Sequence, residues 1–226
     1  MERYEFLRDW RGAVRDVLAR LRDDPLAALR GVLLAAPPDH IGHDDYDLHP
    51  ELRPPTQTQA TEAAVLLPVI MRPEPSILFT QRTAHLARHS GQVSFPGGRS
   101  EAGDLSPVET ALRETMEETG IEPAFVSVAG YLPRYRTGTG YDISPVVGVL
   151  SDGFSLMPNP DEVAEAFEAP LAYFLDPANR RLETRVWGGR ERSFYVFSPG
   201  GRTIWGATAA ILVDFAARLT GEGGAR

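Results

Sequence analysis

The chain has 226 residues, 42% of them hydrophobic and 24% charged, with a formal net charge of −8. This length is enough to bury a sizeable core in what is most simply one decorated domain, and the acidic balance argues against a broad nucleic-acid-binding surface. The absence of cysteine excludes disulfides, thiolate zinc sites and cysteine nucleophiles.

The opening segment, MERYEFLRDWRG, is charged and lacks the apolar centre of a signal peptide. No apolar run approaches the ~20 residues of a membrane span. The expected setting is the cytoplasm, with neither nucleic acid nor membrane as partner and homo-oligomerisation left open. Phe6, Trp10, Val14, Val17, Leu18 and Leu21 follow helical spacing, so Arg3 to Leu34 reads as one or two helices broken at Asp24-Pro25. Residues 36–62 are rich in Pro, Asp, His and Thr and read as an extended loop or linker. His40, His43 and His49 stand there beside Asp44, Asp45 and Asp47, at a spacing that matches no zinc pattern. The expected division is a helical extension with its linker over 1–62, then a principal domain over 63–226.

Ala63-Met71 and Ser76-Gln81 are apolar runs suited to buried strands, joined by the turn Arg72-Pro73-Glu74-Pro75. The second leads into a loop that carries Arg82, His85, Arg88, His89 and Gly91 before Phe95-Pro96-Gly97-Gly98. Arginine suits phosphate, because its planar fork makes two hydrogen bonds to one anion. Composition alone leaves that role level with a polar loop whose arginines offset nearby glutamates.

Ser106-Pro107-Val108-Glu109 is a capping box that opens a helix, and Gly120 is placed to close it. Val108, Ala111, Leu112, Thr115 and Thr119 form its largely apolar stripe. Beside them, Glu114, Glu117 and Glu118 share one face at i, i+3 and i+4. Like charges at that spacing cost roughly 0.2–0.5 kcal/mol per pair, and the C-terminal half of a helix disfavours negative charge further. Arg113 offers one compensation; a hard divalent cation such as Mg²⁺ or Mn²⁺ offers another.

Phe125-Leu132 and Ile143-Leu150 read as strands around a basic, glycine-rich segment, Arg134 to Tyr141, that suits either a nucleotide wall or a surface hairpin. Asn159 to Phe167 reads as a short strand on which Glu162 and Glu165 face opposite ways. Leu182-Trp187 and Arg192-Phe197 flank Gly188-Gly189 as a hairpin, and a helix from about Ala207 to Leu219 ends at Gly221.

The run Gly98, Arg113, Glu114, Glu117, Glu118, Gly120, Ile121 resembles the Nudix box, the signature of hydrolases of nucleoside diphosphates linked to another group. It departs from the common box in carrying Asp104 where a glutamate is usual, with one extra residue before Arg113; Glu101 competes with Asp104 as the early acid. Leu78, Thr80, Arg82, Gly91, Phe95, Pro96, Gly97 and Gly98 resemble the upstream motif of the coenzyme A pyrophosphatase subgroup, although Leu86 stands where arginine is frequent. The resemblance implies an α/β/α sandwich with a mixed sheet, carrying an N-terminal helical extension. It implies Mg²⁺ or Mn²⁺ held by Glu114, Glu118, Glu117 and the Gly98 carbonyl, with Arg113 orienting the glutamates. Glu162 is the implied general base, and Thr80, Arg82, Gly91 and Arg88 the implied substrate contacts. The implied small-molecule substrate is coenzyme A or a derivative. Alternatives are another diphosphate, such as ADP-ribose, NADH or a dinucleoside polyphosphate, or a non-catalytic nucleotide sensor.

Overall fold

The computed structural model describes residues 2–54, 60–84 and 91–222. Two helices come first, α1 (Glu2–Asp23) and α2 (Pro25–Arg30), then strands β1 (Ile41–Asp44), β2 (Thr61–Ile70), β3 (Ser76–Arg82), β4 (Val93–Ser94) and β5 (Gly97–Arg99). Helix α3 (Pro107–Thr119) follows, then β6 (Val126–Tyr131), β7 (Arg134–Arg136), β8 (Tyr141–Leu150) and β9 (Val163–Pro170). The chain continues through α4 (Leu171–Leu175), β10 (Arg181–Trp187), β11 (Arg190–Phe197), β12 (Ile204–Trp205) and α5 (Ala207–Thr220).

The apolar run 63–71 becomes the central strand. β2 pairs in parallel with β8 along its whole length, from Thr61 opposite Tyr141 to Ile70 opposite Leu150. Its other edge is shared. β3 pairs there antiparallel at Val69 and Ile70, then diverges to pair with β4 at Thr80 and Gln81, while its far edge carries β9 throughout. The vacated stretch takes β5, with Ala64 opposite Gly98 and Val65 opposite Gly97. This edge exchange lays the double-glycine loop against the sheet.

Alternate residues of β2 feed two cores, as strand geometry requires. Ala64, Leu66 and Ile70 join Leu78, Val146 and Leu150 beneath Ala111 of α3. Leu67 and Val69 join Ile77, Phe79 and Val147 on the opposite face, packed against Val17 and Leu21 of α1 and Leu212 and Phe215 of α5. The architecture is an α/β/α sandwich around a mixed sheet. A smaller antiparallel sheet, β10-β11-β12, lies beside it. Among the described residues, no helix is long and apolar enough to cross a membrane.

Two differences from the sequence expectations have physical causes. The stretch 36–62 contains a strand, β1, which pairs in parallel with β7. Nothing local marks it; the partner lies about ninety residues away, and Arg53 pins it by pairing with Asp44 at 2.8 Å. The strand expected from Asn159 starts at Val163, so Glu162 precedes it and parity does not govern its direction. The glycine hairpin forms as expected: Gly188 (φ 56°) and Gly189 (φ 77°) are both left-handed, as a two-residue turn between twisted strands demands.

Candidate active site

Helix α3 begins at its serine cap. Ser106 Oγ accepts the Glu109 N–H at 3.3 Å, while the Glu109 carboxylate accepts the N–H of Leu105, one residue before the cap, at 2.8 Å. Gly120 closes the helix in the left-handed conformation (φ 75°). The next two free carbonyls do not go to water. Glu118 O accepts from Asn159 N at 3.0 Å and Thr119 O from Met157 N at 2.8 Å. The segment before β9 thus hangs on the end of α3. Asn159 O then accepts the Glu162 N–H (3.1 Å), and Glu162 O accepts the Thr83 N–H (2.9 Å). These bonds seat the Glu162 backbone between the end of α3 and the end of β3.

Arg113 lies at the middle of the acidic face. It donates to Glu114 at 2.9 Å, to Glu117 at 3.2 Å and to the Arg99 carbonyl at 3.0 Å. Its other edge makes a two-pronged contact with Asp104, at 3.1 and 3.0 Å. Asp104 also accepts from Glu101 N and Thr110 Oγ1, both at 2.9 Å. The Arg113 guanidinium foremost, and then these bonds, hold the Asp104 carboxyl well below the usual range. Asp104 is therefore engaged in fixing Arg113, and Glu101 meets it only through its backbone.

Glu118 is the costly residue. It is 3% exposed, and burial pushes its carboxyl up to about 7 despite the Gly97 N–H at 3.3 Å and Arg82 at 3.7 Å. Glu114 is also raised, first by burial, although Arg113 opposes the shift. Glu117 is more than half exposed. Gly98 meets Glu114 directly: a Cβ built there would come within 2.4 Å of its carboxylate.

The other expected site residues fall as follows. Arg82 ends β3 at the rim, beside Glu118. Thr80 is fully buried and donates to Glu118 at 3.5 Å, because β3 is covered on both faces. Gly91 is an exposed left-handed position (φ 68°) whose carbonyl accepts from Gln81. Arg88 lies outside the described residues. Glu165 is turned away and paired with Arg202. In the basic segment, Arg136 clasps Asp142 and Arg134 contacts Glu62 and Asp142, so neither faces solvent as an open anion site.

The donor set fits a hard divalent ion: it is all oxygen, it is under-compensated at Glu118, and the missing side chain at Gly98 lets the Glu114 carboxylate lie against the loop. As the side chains stand, no three His, Asp or Glu groups among the described residues are gathered closely enough to hold an ion, since Arg113 engages Glu114 and Glu117.

The chain is similar to known proteins in sequence. A family model described as the NUDIX domain matches residues 60–186. A Pectobacterium atrosepticum protein described as an uncharacterized Nudix hydrolase NudL is 40% identical over 190 residues, covering 80% of this chain and 94% of its own length. A Salmonella paratyphi B protein of the same description is 39% identical over 180 residues, covering 76% and 89%. Among solved structures, a MutT protein from Methanosarcina mazei Go1 superposes with a TM-score of 0.48 at 18% identity, covering 75% of this chain and 99% of that one.

Proposed function

The chain belongs to the Nudix family, and from that premise we propose that it hydrolyses the pyrophosphate of coenzyme A, or of a derivative, to 4′-phosphopantetheine and adenosine 3′,5′-bisphosphate. The coarser activity, hydrolysis of a diphosphate linkage in a nucleoside diphosphate derivative, is that of the family. One observation carries the reading: two carboxylates of α3 meet the double-glycine loop, Glu118 buried against the Gly97 N–H at 3.3 Å and Glu114 packed against Gly98. The narrower substrate rests on the upstream run of Leu78, Thr80, Arg82, Gly91, Phe95 and Pro96, which resembles the coenzyme A subgroup.

Glu114 and Glu118 are assigned as the principal holders of Mg²⁺ or Mn²⁺, with Glu117 and the Gly98 carbonyl in support. When bound, such an ion neutralises the diphosphate and lowers the pKa of the attacking water. Arg113, itself fixed by Asp104, sets the direction of Glu114 and Glu117. Thr80 steadies Glu118 from beneath. Arg82 presents a guanidinium beside Glu118, where a phosphate oxygen would meet it, and Arg88 and Gly91, which follow it in the sequence, are assigned as further substrate contacts. Glu162 takes the proton from the water as it adds to phosphorus. The anhydride P–O bond then breaks and the second phosphate leaves.

A substrate panel tests the assignment. The ratio kcat/KM for coenzyme A should exceed that for ADP-ribose, NADH and a diadenosine polyphosphate under Mg²⁺ and Mn²⁺. A higher ratio for any of those three would replace coenzyme A and keep the family activity.

A further inference from the structure

Among the described residues, β10 has a strand neighbour on one side only. It is seven residues long, and Arg181, Leu182, Thr184, Arg185 and Val186 are all exposed, with Leu182 at 59% and Val186 at 66%. Long edge strands with exposed apolar side chains invite further pairing, and proteins usually blunt them with charge or proline. β10 contains no proline, and its charges alternate in sign: Arg181, Glu183, Arg185.

Two features fix which backbone groups face the open side. Trp187 and Arg190 close the two-residue turn, so bonding toward β11 runs through 187, 185 and 183. On β11, Ser193, which stands opposite Thr184, sends its N–H to His49 Nε2 at 3.0 Å, away from β10. Leu182, Thr184 and Val186 therefore turn their N–H and C=O groups to the open edge.

We propose that this edge is a self-association surface, on which two copies of the chain pair their β10 strands antiparallel about a twofold axis at Thr184. That register sets Leu182 against the partner's Val186, Glu183 against the partner's Arg185, and Thr184 against the partner's Thr184. Three outward-facing pairs then exchange roughly six main-chain hydrogen bonds. Apolar meets apolar on one face, and opposite charges meet on the other. Neighbouring registers fail. Centring on Glu183 opposes Glu183 to its own copy and Arg181 to the partner's Arg185, and centring on Arg185 opposes two arginines. A one-residue slip puts the Leu-Thr-Val face over the charged one. In the monomer Glu183 leans along its own strand to Arg181 (3.5 Å) and Arg185 (3.4 Å), so the acid is available to exchange partners. A contact of one strand is small, so the dimer is a reversible, concentration-dependent one.

The test is the mass of the full-length protein by sedimentation or light scattering across a concentration series, with charge reversals. Wild type should rise toward twice 24.8 kDa. Glu183→Arg and Arg185→Glu should each stay monomeric. The double variant, Glu183→Arg with Arg185→Glu, should dimerise again, because it restores opposite charges in the same register. Thr184→Pro, which removes an outward N–H, should also stay monomeric. Far-UV circular dichroism on each variant checks the fold. A wild type that remains monomeric up to its solubility limit, or single reversals that dimerise as wild type does, or a double variant that fails to recover, would overturn the proposal.

Discussion

The two glycines of the loop beside Glu114 and Glu118 should fail in different ways when each is replaced by alanine. At Gly97 (φ +150°), an added Cβ would lie 2.4 Å from the Ala64 carbonyl oxygen and 2.6 Å from Val65 Cα, both backbone atoms of the central strand. Backbone there has no room to retreat, because β2 is paired on both edges. Overpacking costs about 1–3 kcal/mol, with a further ~1 kcal/mol for the unfavourable φ. For a domain of this size that lowers Tm by roughly 4–16 °C. At Gly98 the obstacle is the Glu114 carboxylate, with atoms at 2.4, 2.5 and 2.7 Å. A flexible side chain can swing aside, so Gly98→Ala should cost less than ~1 kcal/mol of stability. To do so the carboxylate must retreat by about 1 Å, a displacement that can cost ~100-fold in rate. Calorimetry and steady-state turnover on the two variants separate the effects. Wild-type turnover in a folded Gly98→Ala protein would refute the role given to Glu114.

Other consequences follow from the same coordinates. Glu118→Gln removes a buried carboxylate that burial already pushes up to about 7, so at neutral pH the metal-free variant should melt no lower than wild type while metal-dependent turnover falls ~100-fold or more; a lower Tm with retained turnover would contradict this. Arg82→Ala should raise KM for coenzyme A more than KM for a simple dinucleotide, and equal changes would remove its role in specificity. His43 is raised above 6.5 by Asp214 (3.6 Å) and then Asp47 (3.0 Å), against the lowering effect of burial. Its contribution to stability is therefore full below pH 6.5 and lost as pH rises through the higher folded value. Denaturant midpoints of wild type and His43→Ala should differ most at acid pH and converge at alkaline pH; a gap that widens with pH would reverse the sign.

The helix that carries the acids was legible because its signals are local. Ser106, Pro107 and Gly120 act within one turn of where they stand, and the i, i+3, i+4 glutamates declare a shared face. The double-glycine loop was legible as a motif, but not its reason: Gly97 faces the Ala64 carbonyl only because β3 leaves the edge of β2. Asp104 was ambiguous as a ligand, since its partner Arg113 lies nine residues on and across a loop. The seating of Glu162 depends on main-chain bonds from Met157 and Asn159 to the end of α3, and such bonds leave no side-chain signature. Thr80 sits on a strand buried on both faces, where alternation does not tell inside from outside. The segment around Arg134 and Arg136 suited either a phosphate wall or a surface hairpin; the acids that occupy both arginines, Glu62 and Asp142, come together only because β2 and β8 pair.

The most direct measurement is the product composition when coenzyme A is incubated with the purified protein and Mg²⁺ or Mn²⁺, followed by mass spectrometry with and without a chelator. The expected result is 4′-phosphopantetheine and adenosine 3′,5′-bisphosphate in equal amounts, with neither formed once the metal is removed and neither formed by Glu118→Gln at a comparable rate. Intact coenzyme A in the presence of metal, or undiminished cleavage in chelator, would contradict the account.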